Sequence, residues 1–169
     1  PPGSSFKILV AAAAVKQGKT GRIDCPGSGF AAAPGLKAIR DHEYYSAAEK
    51  GRTWKGHGFI DIGDAFRLSS NVYFAKCAVS LGAGTIVDLA DALGFTRPWT
   101  ALSGSSGPVS SKPCSFPLKE TSGRAELTQV AIGQGKLLVT PLHMACLAAT
   151  VAARGSLHQP FLREGTPPE

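Results

Sequence analysis

The strongest apolar run in the chain, Ile8 to Val15, follows directly on Pro1-Pro2-Gly3-Ser4-Ser5-Phe6-Lys7 and predicts a helix from about Ser4 to Gln17, with Gly18 as its stop. Turn-forming residues then dominate from Gly21 to Gly35, broken by the extended piece Arg22-Ile23-Asp24-Cys25 before Pro26-Gly27. Residues 36–60 mix charge, Tyr44, Tyr45, Trp54 and several glycines, and read as loop with one short strand. Helical spacing returns at Ile62, Ala65, Phe66 and Leu68, with Asp61 as the N-cap and Ser69-Ser70 as the end. Val72, Phe74, Ala75, Ala78 and Val79 predict a mostly buried helix from residue 71 or 72 to Leu81, stopped by Gly82. Thr85 caps the next, with Ile86, Leu89, Ala90 and Leu93 inward and Gly94 at its end. Residues 100–122, rich in Ser, Gly and Pro, predict a long surface loop. Glu126 to Gly133 reads as a short helix, Pro141 opens the last strong one from Leu142 to about Ala153, and the tail from Gln159 to Glu169 reads as extended.

Six helices with little strand make an unbalanced set for a chain of 169 residues, about one domain's length. No internal repeat or domain boundary is visible. A hydrophobic content of 43% with 18% charged residues excludes disorder. The net charge of +6 is spread along the chain, without the clustered basic stripe and interleaved aromatics of a nucleic-acid binder. The longest apolar runs fall short of the roughly 20 residues that cross a bilayer. No signal peptide is visible, and the abrupt start predicts a fragment whose targeting segment lies upstream. The four Cys, at 25, 77, 114 and 146, form no C-x-x-C pair and have no His at zinc spacing, so neither a metal nor a cofactor is expected. Cys77 and Cys146 sit in apolar stretches and read as small core residues.

Ser4 and Lys7, three residues apart at a helix start, share one face. An amine sequestered there from water loses part of its preference for charge and can activate the neighbouring hydroxyl. Alone, the pair reads as a helix cap and a solvated lysine. Ser69-Ser70-Asn71 lies in the connection between two apolar helices. Its Ser69 and Asn71 can point into one cleft, giving a hydroxyl for proton relay and an amide that both donates and accepts. The plain alternative is a cap for the helix beginning at Val72.

Four blocks, in order, resemble the transpeptidase domain of penicillin-binding proteins of the monofunctional type. They are Pro2-Gly3-Ser4-Ser5-Phe6-Lys7, Ile23-Asp24-Cys25-Pro26-Gly27, Ser69-Ser70-Asn71-Val72-Tyr73-Phe74, and Ile132-Gly133-Gln134-Gly135 followed by Leu138-Val139-Thr140-Pro141-Leu142. The resemblance implies an α/β fold in which helices cover an antiparallel sheet, this chain supplying mainly the helical part. It implies Ser4 as the acylated nucleophile, Lys7 as its base, Ser69 as the proton relay to the leaving amine, and Asn71 as a binder of the substrate's peptide amide. The implied partners are peptidoglycan stem peptides, β-lactams and other cell-wall synthesis proteins, at the outer face of the cytoplasmic membrane, with a membrane anchor outside these residues. The same motifs serve D,D-carboxypeptidases, β-lactamases and non-catalytic β-lactam sensors.

The family's third motif, a strand-borne Lys-Thr-Gly, has no match after Gly155. Lys19-Thr20-Gly21 has the right letters, but it lies in the turn leaving the first helix and reads as solvated. Residues 1–169 are therefore expected to be a partial domain lacking the C-terminal strands, with an apolar face uncovered, low solubility and feeble activity when isolated. The missing strand supplies one oxyanion-hole donor in the family, and losing such a donor costs about a hundredfold or more. The resemblance gives His57, in Gly56-His57-Gly58, a structural role. His143 reads as a surface or half-buried helix residue, and Gln134 as lining the cleft floor.

Overall fold

The computed structural model describes residues 1–101 and 108–160. The run after Lys7 forms α1 (Lys7–Lys16), entered through a 3₁₀ turn over Gly3–Phe6 rather than as one helix from Ser4. Gly3 sends its N–H out of the turn to Gly133 O at 2.9 Å, and the turn winds tighter than α-helix. The extended piece forms β1 (Ile23–Pro26). The stretch expected to be loop holds a helix, α2 (His42–Glu49), and the short strand β2 (Gly56–Ile60). No residue of α2 is buried, so it carries no apolar stripe for a periodicity reading to detect. β1 and β2 pair antiparallel, Ile23 opposite Ile60 and Cys25 opposite Gly58, with the register shifting at Cys25–Pro26.

Asp61 caps α3 (Ile62–Arg67) as expected, its side chain accepting from the Asp64 N–H. Then come α4 (Asn71–Leu81) and α5 (Ala83–Ala92). Thr85 does not cap α5. The helix starts two residues earlier, after Gly82, and the Thr85 hydroxyl donates back to Leu81 O. Within the expected long loop, β3 (Thr100–Ala101) pairs with β4 (Val109–Ser110), and Ser115 bridges to Leu138. α6 (Arg124–Ala131) and α7 (Pro141–Ala152) follow, the latter with Pro141 in its first turn and Thr140 as cap. The tail is described only to residue 160, so most of its expected extended course lies outside the described residues.

α4 is apolar on nearly every side and is accordingly the central rod. Val72, Tyr73, Phe74, Ala75, Cys77, Ala78 and Leu81 are all buried, with α1, α5, α6 and β1 packed around it. Phe6 locks the 3₁₀ turn into this core, edge-on to Phe95 at 5.7 Å. His143 departs from expectation and is fully buried. Its ring nitrogens lie 2.7 Å from Thr140 Oγ1 and 2.9 Å from Arg97 O, so both polar atoms are satisfied inside the core. All four cysteines are free, and Cys77 and Cys146 are core residues as expected. Burial pushes their thiol pKa values up, to about 11 for Cys25 and Cys77.

α1 lines an apolar groove of about 620 Å³ with Phe66, Leu93, Leu147 and Val151. Phe66 is 43% exposed there, and Val15 is 63% exposed. An open apolar patch of this kind is uncommon on the surface of a monomer. Among the described residues no single helix is long and apolar enough to cross a membrane.

Phe95 is fully buried against both Phe6 and His143. Phe95→Ala is expected to cost about 3–5 kcal/mol, read as a lower denaturation midpoint of the complete gene product in guanidinium.

Candidate active site

Lys7 is the first residue of α1 and points inward, with only 2% of its surface exposed. Its Nζ lies 3.1 Å from Ser4 Oγ, 3.1 Å from Ser69 Oγ, 2.6 Å from Ser69 O and 2.7 Å from Asn71 Oδ1. Two lengths of chain more than sixty residues apart therefore converge on one amine, and every residue singled out in the two short motifs is among them. Ser4 and Ser69 are themselves exposed, so both hydroxyls are open to a ligand.

The corner between α3 and α4 delivers two of these groups. Ser69 follows the α3 cap at φ 53°, in the left-handed region. Its N–H donates to Phe66 O at 3.1 Å, and Ser70 N–H donates to Ala65 O at 2.9 Å. That pair of bonds is the Schellman ending of a helix, with serine where glycine is usual. A non-glycine residue there costs on the order of 1–3 kcal/mol, and the conformation turns both Ser69 O and Ser69 Oγ toward Lys7. Ser70 performs the cap that the sequence allowed for, its Oγ accepting from Tyr73 N–H at 3.1 Å. Asn71 Nδ2 donates to Arg40 O at 3.0 Å, which fixes the amide so that Oδ1 faces the amine.

Desolvation lowers the Lys7 pKa from 10.5 to about 8, against the opposing pull of Asp41 and Glu43. About a tenth of the amine is then uncharged at neutral pH. Ser69 O and Asn71 Oδ1 can only accept, so they hold two N–H groups in either state. The hydroxyls of Ser4 and Ser69 can each donate or accept. An ammonium gives its third proton to one of them, and a neutral amine receives a hydroxyl proton instead. The change needs only hydroxyl rotation.

The Gly133-Gln134-Gly135 loop supports the turn bearing Ser4. Gly133 holds φ 71°, and a Cβ there would lie 1.9 Å from Gly3 O, so only glycine permits this approach. Beside Asn71 opens a cavity of about 300 Å³ lined by Arg40, Tyr45, Gln129, Ile132 and Gln134, with Gln134 on the cleft as expected. Lys19 lies beyond the far end of α1, about 15 Å of helix from Lys7. It is exposed and donates to Ser80 O at 2.6 Å, outside this constellation. His57, on β2, packs edge-on to Trp54 and has no hydrogen-bond partner on Nε2. Among the described residues no group of three His, Cys, Asp or Glu is placed to hold a metal.

Sequence reasoning missed Asp41 and the Arg40 carbonyl. Asp41 stands at the N-cap of α2 yet does not cap it. Its Oδ1 accepts instead from Val72 N–H at 3.0 Å and Ser70 Oγ–H at 3.1 Å. An Asp before a helix signals a local cap, and nothing in the sequence reveals that its carboxylate serves a different helix.

Helices gathered over short antiparallel strands, with a buried lysine between two serines and an asparagine, place the chain in the α/β class. Residues 1–167 match the penicillin binding protein transpeptidase domain, and the chain belongs to that family. It is 31% identical over 164 residues to the peptidoglycan D,D-transpeptidase PbpA of Mycobacterium tuberculosis, covering 96% of this chain and 30% of that protein. PbpA of Mycolicibacterium smegmatis is 28% identical over 171 residues, covering 97% and 31%. The chain thus spans about a third of the length of these curated relatives. The ceftriaxone acyl-enzyme complex of M. tuberculosis penicillin-binding protein A superposes with a TM-score of 0.73 at 26% identity, covering 95% of this chain and 33% of that one. Pseudomonas aeruginosa PBP2 in complex with WCK 5153 shares the fold, with a TM-score of 0.75 at 23% identity, covering 100% and 39%.

A lysine whose pKa falls on folding binds fewer protons in the native state than in the unfolded chain between pH 8 and 10.5. Its share of stability therefore rises with pH across that window and levels off above it. Lys7→Met is expected to flatten the curve there by about 3 kcal/mol at most, measured as the difference between parent and variant in denaturant titrations at pH 7.5 and 10.5.

Proposed function

We propose that this chain carries the nucleophile of a peptidoglycan D,D-transpeptidase that forms a serine acyl-enzyme at Ser4 and is trapped there by β-lactams. The convergence of Lys7 Nζ on Ser4 Oγ, Ser69 Oγ and Asn71 Oδ1 carries the reading. Family membership and the named relatives support it.

On this reading neutral Lys7 takes the proton of Ser4 Oγ as that oxygen attacks the carbonyl carbon of the penultimate D-alanine in a stem peptide. The C–N bond to the terminal D-alanine breaks, and Ser69 passes the proton to the departing amine. An amine from a neighbouring strand then attacks the ester, and Ser4 recovers its proton. Asn71 holds the amide of the donor peptide, and the neighbouring cavity with Gln134 receives the rest of it. The substrates lie outside the cytoplasmic membrane, which puts the protein's action at its outer face.

Mass spectrometry of the complete gene product after incubation with benzylpenicillin tests the proposal. The expected result is a long-lived adduct of one penicillin on Ser4. Rapid release of hydrolysed penicillin would indicate a hydrolase, and absence of any adduct would overturn the serine mechanism. Ser4→Ala is expected to abolish the adduct, and Ser69→Ala to slow its formation by roughly 10²–10⁴. Because only the uncharged Lys7 can accept the proton, the acylation rate should climb with pH about tenfold per unit and level off near pH 8. A rate independent of pH between 6 and 8 would remove Lys7 from the role of base.

A further inference from the structure

Behind the amine lies a buried carboxylate that the acylation scheme does not use. Asp41 is 3% exposed and belongs to none of the motif blocks. Its Oδ1 accepts from Val72 N–H and Ser70 Oγ–H, and its Oδ2 lies 3.2 Å from the same hydroxyl. These contacts flank the left-handed Ser69 on its α4 side. The adjacent residue's carbonyl, Arg40 O, holds Asn71 Nδ2. Two consecutive residues thus grip the side chains of Ser70 and Asn71, while the helix that Asp41 precedes is left without its side-chain cap. An anion at the α4 N-terminus also meets the positive end of that helix.

We propose that Asp41 is a positioning residue for acylation at Ser4: it pins the Ser69–Asn71 corner against Lys7 and keeps a negative charge behind the amine. The inference rests on the acyl-enzyme reading given above. Burial would drive Lys7 further toward the neutral form than it does, and Asp41, with Glu43 second, pulls it back. The groups facing this ensemble come from every element around it. Ser4, Ser69, Asn71 and the Phe74 ring, 5.8 Å from Nζ, surround Lys7. The Cys25 thiol on β1 feels the Asp41 charge. His57 on β2 stands with Nε2 3.7 Å from Asp41 Oδ2 and 3.6 Å from Glu43 Oε2. The carboxylate therefore does two separable things, one through hydrogen bonds and one through charge.

Substitutions in the complete gene product separate them, with the rate of acylation by a fluorescent penicillin followed from pH 5.5 to 9.5. Asp41→Asn keeps an oxygen for Val72 N–H and Ser70 Oγ–H and removes the charge. Its rate should reach half-maximum at a pH lower by about half a unit or more, with a somewhat lower plateau because the amine is a weaker base. Asp41→Ala loses the hydrogen bonds as well, and its rate should fall about tenfold or more at every pH. Glu43→Gln alters a half-exposed side chain on α2 and should shift the midpoint in the same direction by less. It keeps the charge arm testable if the Asp41 variants fail to fold. A merely structural Asp41 would leave the midpoint of the pH curve unmoved. Superimposable curves for the parent, Asp41→Asn and Glu43→Gln overturn the electrostatic part, and a parental rate in Asp41→Ala overturns the positioning part. No adduct on the parent itself overturns the acyl-enzyme reading, and this inference with it, a result distinct from the other two.

Discussion

A lysine amine taken out of water must find hydrogen-bond partners or lose its charge. Lys7 does some of each, and the arrangement of the rest follows from that demand. The acceptors it needs lie more than sixty residues away, on a corner that only folds correctly if α3 stops where it does. Ser69 therefore occupies a backbone conformation that glycine would enter more cheaply. A glycine would bring the carbonyl but not the hydroxyl, and the extra strain is the cost of having both groups face the amine from one residue.

α4 transmits this local demand to the whole chain. Its N-terminus forms one wall of the site, its middle forms the core, and Lys19 ties down its C-terminal carbonyls through Ser80 O. Lys76 binds Asp24 O and Tyr73 OH binds Gly21 O, so the segment leaving α1 is fastened to the same rod. The 3₁₀ turn bearing Ser4 is held from two sides, by the Phe6 ring in the core and by the Gly3–Gly133 bond. The site is thereby built on rigid elements, which keeps Ser4 Oγ within reach of Lys7 without help from a bound ligand.

Much of this was legible in the residue pattern, for physical reasons. α1, α4 and α7 are apolar runs long enough to read as buried helices, and Asp61 and Pro141 mark helix starts by mechanisms that act locally. α2 escaped because it buries no side chain. His143 escaped because its partners, Thr140 Oγ1 and Arg97 O, include a backbone group remote in sequence. Pairing Ser4 with Ser69 is likewise beyond any local rule. That association is implied by the family resemblance, and in the folded chain both hydroxyls lie 3.1 Å from Lys7 Nζ. The cross-helix use of Asp41 was hidden most deeply, since its position before α2 offered a complete and ordinary explanation.

The burial of the cysteines bears on chemoselectivity. With every thiol pKa raised above its usual value, thiolate is scarce at neutral pH. An electrophile meets protonated, mostly inaccessible sulfur on the one hand and an exposed hydroxyl beside a partly neutral amine on the other. Under the proposed acylation at Ser4, the softer and intrinsically stronger nucleophile is thus silenced by its surroundings, leaving oxygen to react where sulfur would ordinarily win.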